Sequence, residues 1–279
     1  MMVPGIQVLT GDFVRDGIPD TVLDAADVVF HLVSTTKPAN RDVLKEFETN
    51  VVPTVRLLEA CASRHLRLIY FSSGGTVYGV PRYVPIDEGH RTEPISAYGI
   101  HKLSVEKCIE YYGRTYGLDY DILRISNPYG RFQNPRASQG AMAVFMARAI
   151  LGQPIEIWGD GSVIRDYIDV DDVMDACMKV LSYRGTYRIF NIGSGQGHSL
   201  QHMVYHIERE VGAKIDARYR ASRIQDVPAN ILDSTLAKQE LGWMPSVGFS
   251  DGIHKMYQLW NPDRCDFSGI SYRGRKEDG

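Results

Sequence analysis

The feature that most constrains this chain is an apolar run followed, across a polar loop, by a helix pattern carrying Tyr98 and Lys102. Residues 66–71 read LRLIYF and close in Ser72-Ser73-Gly74-Gly75-Thr76. A short β-branched and aromatic run bounded by glycine is the pattern of a buried strand. Further on, Tyr98, Lys102, Val105, Ile109 and Tyr112 fall on one helical stripe. Tyr98 and Lys102 therefore face the side that packs on the sheet. A free phenol titrates near ~10. An ammonium one turn away in a partly dry site favours the phenolate and brings that value down, giving an acid/base group usable near neutrality. The hydroxyls at the strand end are placed to bond a substrate hydroxyl. Tyr-x-x-x-Lys alone is common on solvated helix faces; its position behind SSGGTVYG is what gives it weight.

With 279 residues, the chain has room for one large domain or two smaller ones sharing a core. A hydrophobic share of 44% and a charged share of 23% are ordinary for a soluble globular protein. A formal charge of -3 gives no electrostatic case for nucleic acid or an anionic membrane. Cys61, Cys108, Cys177 and Cys265 are scattered without a CxxC pair. That fits reduced thiols in a cytoplasmic protein and argues against a metal centre or a disulfide scaffold. No apolar run approaches the ~20 residues of a membrane span, and the first residues lack the pattern of a signal peptide.

In chain order, strands are expected at 6–9, 28–33, 66–71, 120–125, 155–158, 187–192 and 215–219. Helices are expected at 20–25, 41–65, from Tyr98 onward, and at 142–151, 171–183, 200–211, 234–241 and 250–260. Strands alternating with helices imply right-handed βαβ units and a parallel sheet. The fold class is therefore α/β, a Rossmann-like doubly wound sheet joined to a smaller α/β substrate-binding domain. In such a sheet the ligand sits beyond the C-terminal strand ends. Val33-Ser34, Ser72 to Thr76 and residues 125–127 are ends of that kind and should line one crevice, its other wall coming from the less regular C-terminal part.

The stretches SSGGTVYG, AYGIHK, SNPYG and VIRDYIDV together resemble the NAD-dependent epimerase/dehydratases of the extended short-chain dehydrogenase/reductases, the UDP-glucose 4-epimerase group most of all. The resemblance implies NAD, with NADP left open, and a UDP-sugar as ligands. It implies that Tyr98 takes the proton of the sugar C4 hydroxyl and that Lys102 holds the nicotinamide ribose. The family's assisting Ser or Thr falls on Gly74 here, so Thr76 or Ser73 is expected to take over its hydrogen bond. Related 4,6-dehydratases carry an Asp-Glu pair where this chain has Gly75-Thr76, so elimination lacks its groups. Cofactor contacts implied by matching positions are Asp12, Phe13, Leu32, Val33, Asn50 and Ser126. Substrate contacts are Asn127, Arg165, Arg223 and Asp226; a guanidinium binds a diphosphate through bidentate bonds.

The family opens with a strand, a Gly-rich turn and a helix that seat the pyrophosphate. Nothing near the start of this sequence matches them, and NIGSGQG at 191–197 comes too late and reads as a loop in the substrate wall. The chain reads as beginning at the family's third strand. Two missing central strands would leave a gap on the order of 14 Å. Residues 28–33 would then be an apolar edge, unless the strand at 6–9 pairs with them. The expected domains are 1–130, Rossmann-like and lacking the first βαβ unit, with 166–193 returning to it; 131–165 and 194–262, binding the nucleotide sugar; and a mobile tail at 263–279. A homodimer is one assembly open to such a chain. Two other readings stand beside an epimerase: a UDP-sugar-binding homologue without catalysis, and an NAD(P)-linked nucleotide-sugar reductase.

Overall fold

The computed structural model describes residues 5–36, 39–134, 140–222 and 227–260. The tail expected at 263–279 lies outside them. The first half of the chain runs α1 (Asp20–Leu23), β1 (Val28–His31), α2 (Val43–Glu46), a π-helical turn (Phe47–Val51), α3 (Val52–Arg64), β2 (Arg67–Ser73), α4 (Ala97–Tyr116) and β3 (Tyr120–Ile125). There follow β4 (Asn127–Tyr129), α5 (Ala141–Ile150), β5 (Ile155–Trp158), β6 (Ile164–Asp169), α6 (Val170–Ser182) and β7 (Ile189–Ile192). The chain continues through β8 (Gly197–Ser199), α7 (Leu200–Val211), β9 (Ala217–Arg220), β10 (Ala229–Asn230), α8 (Thr235–Leu241) and α9 (Phe249–Trp260).

Two compact units result: residues 1–80, 88–125 and 185–191, and residues 81–87, 126–184 and 192–279. The division differs from the expected one, which joined 166–184 to the first part. Those residues group with the second unit because β6 pairs with β4, β8 and β10.

The first unit is built on a four-stranded sheet of order β1-β2-β3-β7, with β1, β2 and β3 parallel. β2 reads as a continuous apolar run because both its faces are covered, and its first four residues are all buried. α3 contributes Leu57, Leu58 and Cys61 to the core, and α4 contributes Val105 and Ile109. Each large aliphatic side chain fully buried there stabilises the fold by roughly 1.5–3 kcal/mol. Ser96 caps α4 by accepting from Gly99 N at 3.1 Å, and Gly117 ends the helix in the left-handed region at φ 69°.

Two expectations for this unit are corrected. Residues 6–9 form no strand; Ile6, Val8 and Leu9 are exposed, since no partner strand covers them among the described residues. Hence they do not pair with β1, which is an outer strand of the described sheet and leaves Phe30, Leu32 and Val33 exposed. The helix expected at 41–65 is interrupted by the π turn. Pro53 has no N–H to give to the carbonyl one turn back, so the ladder is rearranged just before it.

In the second unit β6 is central, with β4 parallel on one side, β10 parallel on the other and β8 antiparallel. β5 and β9 form a separate parallel pair. Asp166 is fully buried and accepts from Ser194 N (2.8 Å), Ser194 Oγ (2.6 Å), Gly195 N (3.2 Å) and Leu232 N (3.2 Å). One carboxylate thus organises the NIGSGQG loop by satisfying its backbone donors, whose burial unpaired would be costly. A second core lies between α5, α7 and α9.

Candidate active site

Tyr98 and Lys102 lie on the α4 face that packs on the sheet, as the stripe requires. Tyr98 is half-buried, and Lys102 is 3% exposed. Lys102 Nζ donates to Phe71 O at 2.8 Å, lies 4.9 Å from the Tyr70 ring centroid and lies 5.7 Å from that of Tyr98. Burial pushes the Tyr98 phenol up to about 12; a hydrogen bond with Ser34 works against this and the Glu46 charge adds to it. Burial also brings Lys102 down to about 8, against the pull of Glu106 and Glu46. The expectation of a lowered phenol is thereby corrected: withdrawal from water disfavours the phenolate, and Ser34 offsets only part of that.

Next to this pair is the turn that follows β2. Thr76 N and Val77 N both donate to Ser73 O, at 3.2 and 3.1 Å. Thr76 O approaches Gly99 so closely that a Cβ on Gly99 would stand 2.8 Å from it. The Thr76 turn therefore abuts the first turn of α4, which carries Tyr98. Thr76 Oγ1 is buried without a hydrogen-bond partner among the described residues. Ser73, the other hydroxyl expected to assist, is half-buried at the end of β2. Ser72 is committed elsewhere: its hydroxyl donates to Glu106, which Arg124 Nη2 also binds at 2.6 Å.

The other residues expected at a cofactor in this unit divide. Asp12 is exposed, and its carboxylate accepts from Val14 N (2.9 Å) and Arg15 N (3.1 Å), closing its own turn. Phe13 packs against His31 with ring centroids 5.4 Å apart. Leu32 and Val33 follow β1 and are exposed. Asn50 is buried and engaged on both sides of its amide, accepting from Thr35 N at 2.9 Å and donating to Glu46 Oε2 at 3.1 Å.

In the second unit Ser126 Oγ is buried without a partner among the described residues. Asn127 Nδ2 donates to Asp166 O at 2.9 Å. Arg165 is half-buried, and its Nη1 donates to Ile164 O (2.9 Å) and Val227 O (2.7 Å). The neighbouring Asp166 carboxylate serves the loop. Arg223 and Asp226 lie outside the described residues.

The structure adds groups that sequence reading passed over. His101 lies one residue before Lys102 of the stripe, is 1% exposed and places Nδ1 2.6 Å from Oε2 of the fully buried Glu46. A pocket of about 160 Å³ in the second unit is lined by Tyr167, Ser194, Gln196, His198 and Phe249 among others. The i, i+4, i+8 spacing of His198, His202 and His206 was the available signal for their ladder, in which neighbouring ring nitrogens lie 2.9 and 3.0 Å apart. No group of three acidic, His or Cys side chains among the described residues is arranged to hold a metal ion. No described helix is long and apolar enough to cross a membrane.

The sequence model of the NAD dependent epimerase/dehydratase family matches residues 6–193. UDP-glucose 4-epimerase of Mycolicibacterium smegmatis is 34% identical over 258 residues, covering 89% of this chain and 82% of that protein. The crystal structure of the Thermotoga maritima UDP-glucose 4-epimerase with UDP-glucose superposes with a TM-score of 0.84 at 32% identity, covering 91% of this chain and 84% of that one. That of the Thermus thermophilus UDP-glucose 4-epimerase with NAD gives 0.83 at 27% identity, covering 97% and 87%. Fold and relatives converge: the chain belongs to the NAD-dependent epimerase/dehydratase family, with an α/β Rossmann-like fold like that of the UDP-glucose 4-epimerases.

Proposed function

We propose that this protein is a nucleotide-sugar 4-epimerase, inverting C4 of a UDP-hexose such as UDP-glucose or an N-acetylated relative. The observation that carries the reading is the group of Tyr98, Lys102 and the buried Thr76 Oγ1, which has no hydrogen-bond partner among the described residues, around the first turn of α4. A buried hydroxyl without a partner is a natural seat for a substrate hydroxyl.

NAD, when bound, supplies acceptance and return of a hydride at C4. Tyr98 is within a helix turn of a cation in a dry setting, so it is placed to hold or release the proton of the C4 hydroxyl. Loss of that proton and of the C4 hydride leaves a ketone at C4; return of hydride to the other face, with Tyr98 giving the proton back, completes the inversion. Thr76 orients the C4 oxygen. Lys102 holds the nicotinamide ribose. Asn127 and Arg165 serve the diphosphate, to which a guanidinium can give paired charge-assisted hydrogen bonds. The residues present fit the nicotinamide end of NAD; at the adenosine end the Asp12 carboxylate is already taken by its own turn.

Tyr98→Phe is the first test. It should slow turnover by ~100-fold or more while UDP-sugar binding persists, because only the proton-carrying group is removed. Turnover within a few-fold of the parent would take Tyr98 out of the mechanism.

A further inference from the structure

Lys102 is a buried cation that makes no ion pair with a carboxylate among the described residues; its one hydrogen bond there is to Phe71 O. A charge so placed needs a counter-charge in reach. Two buried carboxylates, Glu106 and then Glu46, favour its charged form. Glu106 is already neutralised by Arg124, which it meets at 2.6 Å. Glu46 has no Lys or Arg of its own among the described residues. Its donors are Thr36 Oγ1, Asn40 Nδ2 (2.8 Å) and Asn50 Nδ2 (3.1 Å), with His101 Nδ1 at 2.6 Å. All of these are neutral groups, since burial, together with the Lys102 charge, holds the His101 imidazole down to about 4. His101 directly precedes Lys102, and its ring packs edge-on against Tyr98 at 4.9 Å.

Resting on the epimerase reading for its consequence, we propose that Glu46, held beside His101, is the counter-charge of Lys102 and so a positioning residue for the Tyr98–Lys102 pair. Glu46 balances Lys102 as Glu106 balances Arg124, and the buried region carries two opposite pairs instead of an excess cation. The other titratable groups facing this cluster are His31 on β1 and Tyr70 on β2. Burial keeps both neutral: His31 is held down to about 4, with Lys102 adding to the effect, and Tyr70 is pushed well above its usual range. Neither can replace the Glu46 charge. The same carboxylate binds Thr36, two residues from the Ser34 that bonds Tyr98, and so ties that segment to the catalytic helix.

The test is to follow the Lys102 Nζ resonance in the full chain labelled with 15N-lysine, assigned by its loss in Lys102→Arg. Glu46→Gln keeps the shape and most of the hydrogen bonds but removes the charge. It should move the Lys102 titration about one pH unit lower, and Glu46→Asp should bring it back towards the parent. In the epimerase assay Glu46→Gln should lower kcat, leave KM for the UDP-sugar within about twofold, and move the alkaline limb of the pH profile the same way. If Glu46→Gln does not fold, the double variant Glu46→Leu with His101→Leu removes both polar partners together, which buried pairs tolerate better than loss of one; the same downward shift is expected. A folded variant without the charge, whose Lys102 titrates as in the parent, overturns the proposal. An inactive parent protein would count against the epimerase reading, while the Nζ titration would still decide the role of Glu46.

Discussion

At the scale of single residues, the site is governed by withdrawal from water. The Tyr-x-x-x-Lys spacing was legible in the sequence, and so was the face it occupies. The sign of the phenol's shift was not, because it depends on how deeply Tyr98 and Lys102 are buried. Nor was the Glu46–His101 contact legible, since it joins residues 55 positions apart that no local pattern relates. Buried neutral histidines make the protein sensitive to acid. His31 is 3% exposed, its Nε2 lies 2.8 Å from Thr54 Oγ1, and burial followed by the Lys102 charge holds it at about 4 against an ordinary 6.5. Between those values the unfolded chain binds a proton that the folded one refuses. Stability is therefore lost as pH falls through that window. Urea unfolding at pH 7 and pH 4.5 should show the parent losing roughly 2 kcal/mol more than His31→Gln, which removes the titrating ring. Equal losses would mean that His31 is solvated or charged in the fold.

At the scale of elements, the strands and helices with long periodic patterns stood where the pattern placed them. α7 at Leu200–Val211 and β3 at Tyr120–Ile125 are examples. The six-residue β6 was missed because Arg165, Asp166 and Asp169 break its apolar run; the other missed strands, β4, β8 and β10, have three, three and two residues. They are too short to show a period and exist because β6 offers them an edge. The strand expected at 6–9 had the right composition but no neighbour to bond, and pairing makes a strand where composition only permits one. The junction of α4 with the turn after β2 is the tightest point near the site. A Cβ on Gly99 would stand 2.8 Å from Thr76 O and 2.9 Å from Pro94 Cβ, and a backbone carbonyl cannot swing aside as a flexible side chain can. Gly99→Ala should cost roughly 1–3 kcal/mol of stability by overpacking and lower turnover by displacing Tyr98 from Thr76. Thermal unfolding and kcat measured on the same preparation check both. Parental stability would show that the junction has slack.

At the scale of the whole molecule, the family could be read from four short motifs spread over the chain, while the substrate contacts could be read only in part. Asn127 and Arg165 sit on β4 and β6 of the second unit; Arg223 and Asp226 lie outside the described residues. Calorimetry with UDP should find Arg165→Ala weaker than the parent by roughly 1.5–3 kcal/mol, the size of a lost charge-assisted hydrogen bond. Equal affinity would make Arg165 a structural tie between Ile164 and Val227. NAD should bind this 279-residue chain more weakly than UDP, and turnover should rise with added NAD, because Asp12 is spent on its own turn and the Gly-rich pyrophosphate motif is not among these residues. Tight NAD binding in a direct titration would contradict that. The central claim is that hydride leaves C4 of a nucleotide sugar and returns to the same carbon from the other side under Tyr98 acid/base control. Its most direct measurement is incubation of the protein and NAD with UDP-glucose deuterated at C4, with the product examined by NMR. The account predicts UDP-galactose that keeps its deuterium at C4, formed by the parent and not by Tyr98→Phe. Absence of a C4 epimer while UDP-sugar and NAD are both bound, or an epimer whose deuterium has been lost to solvent, would contradict it.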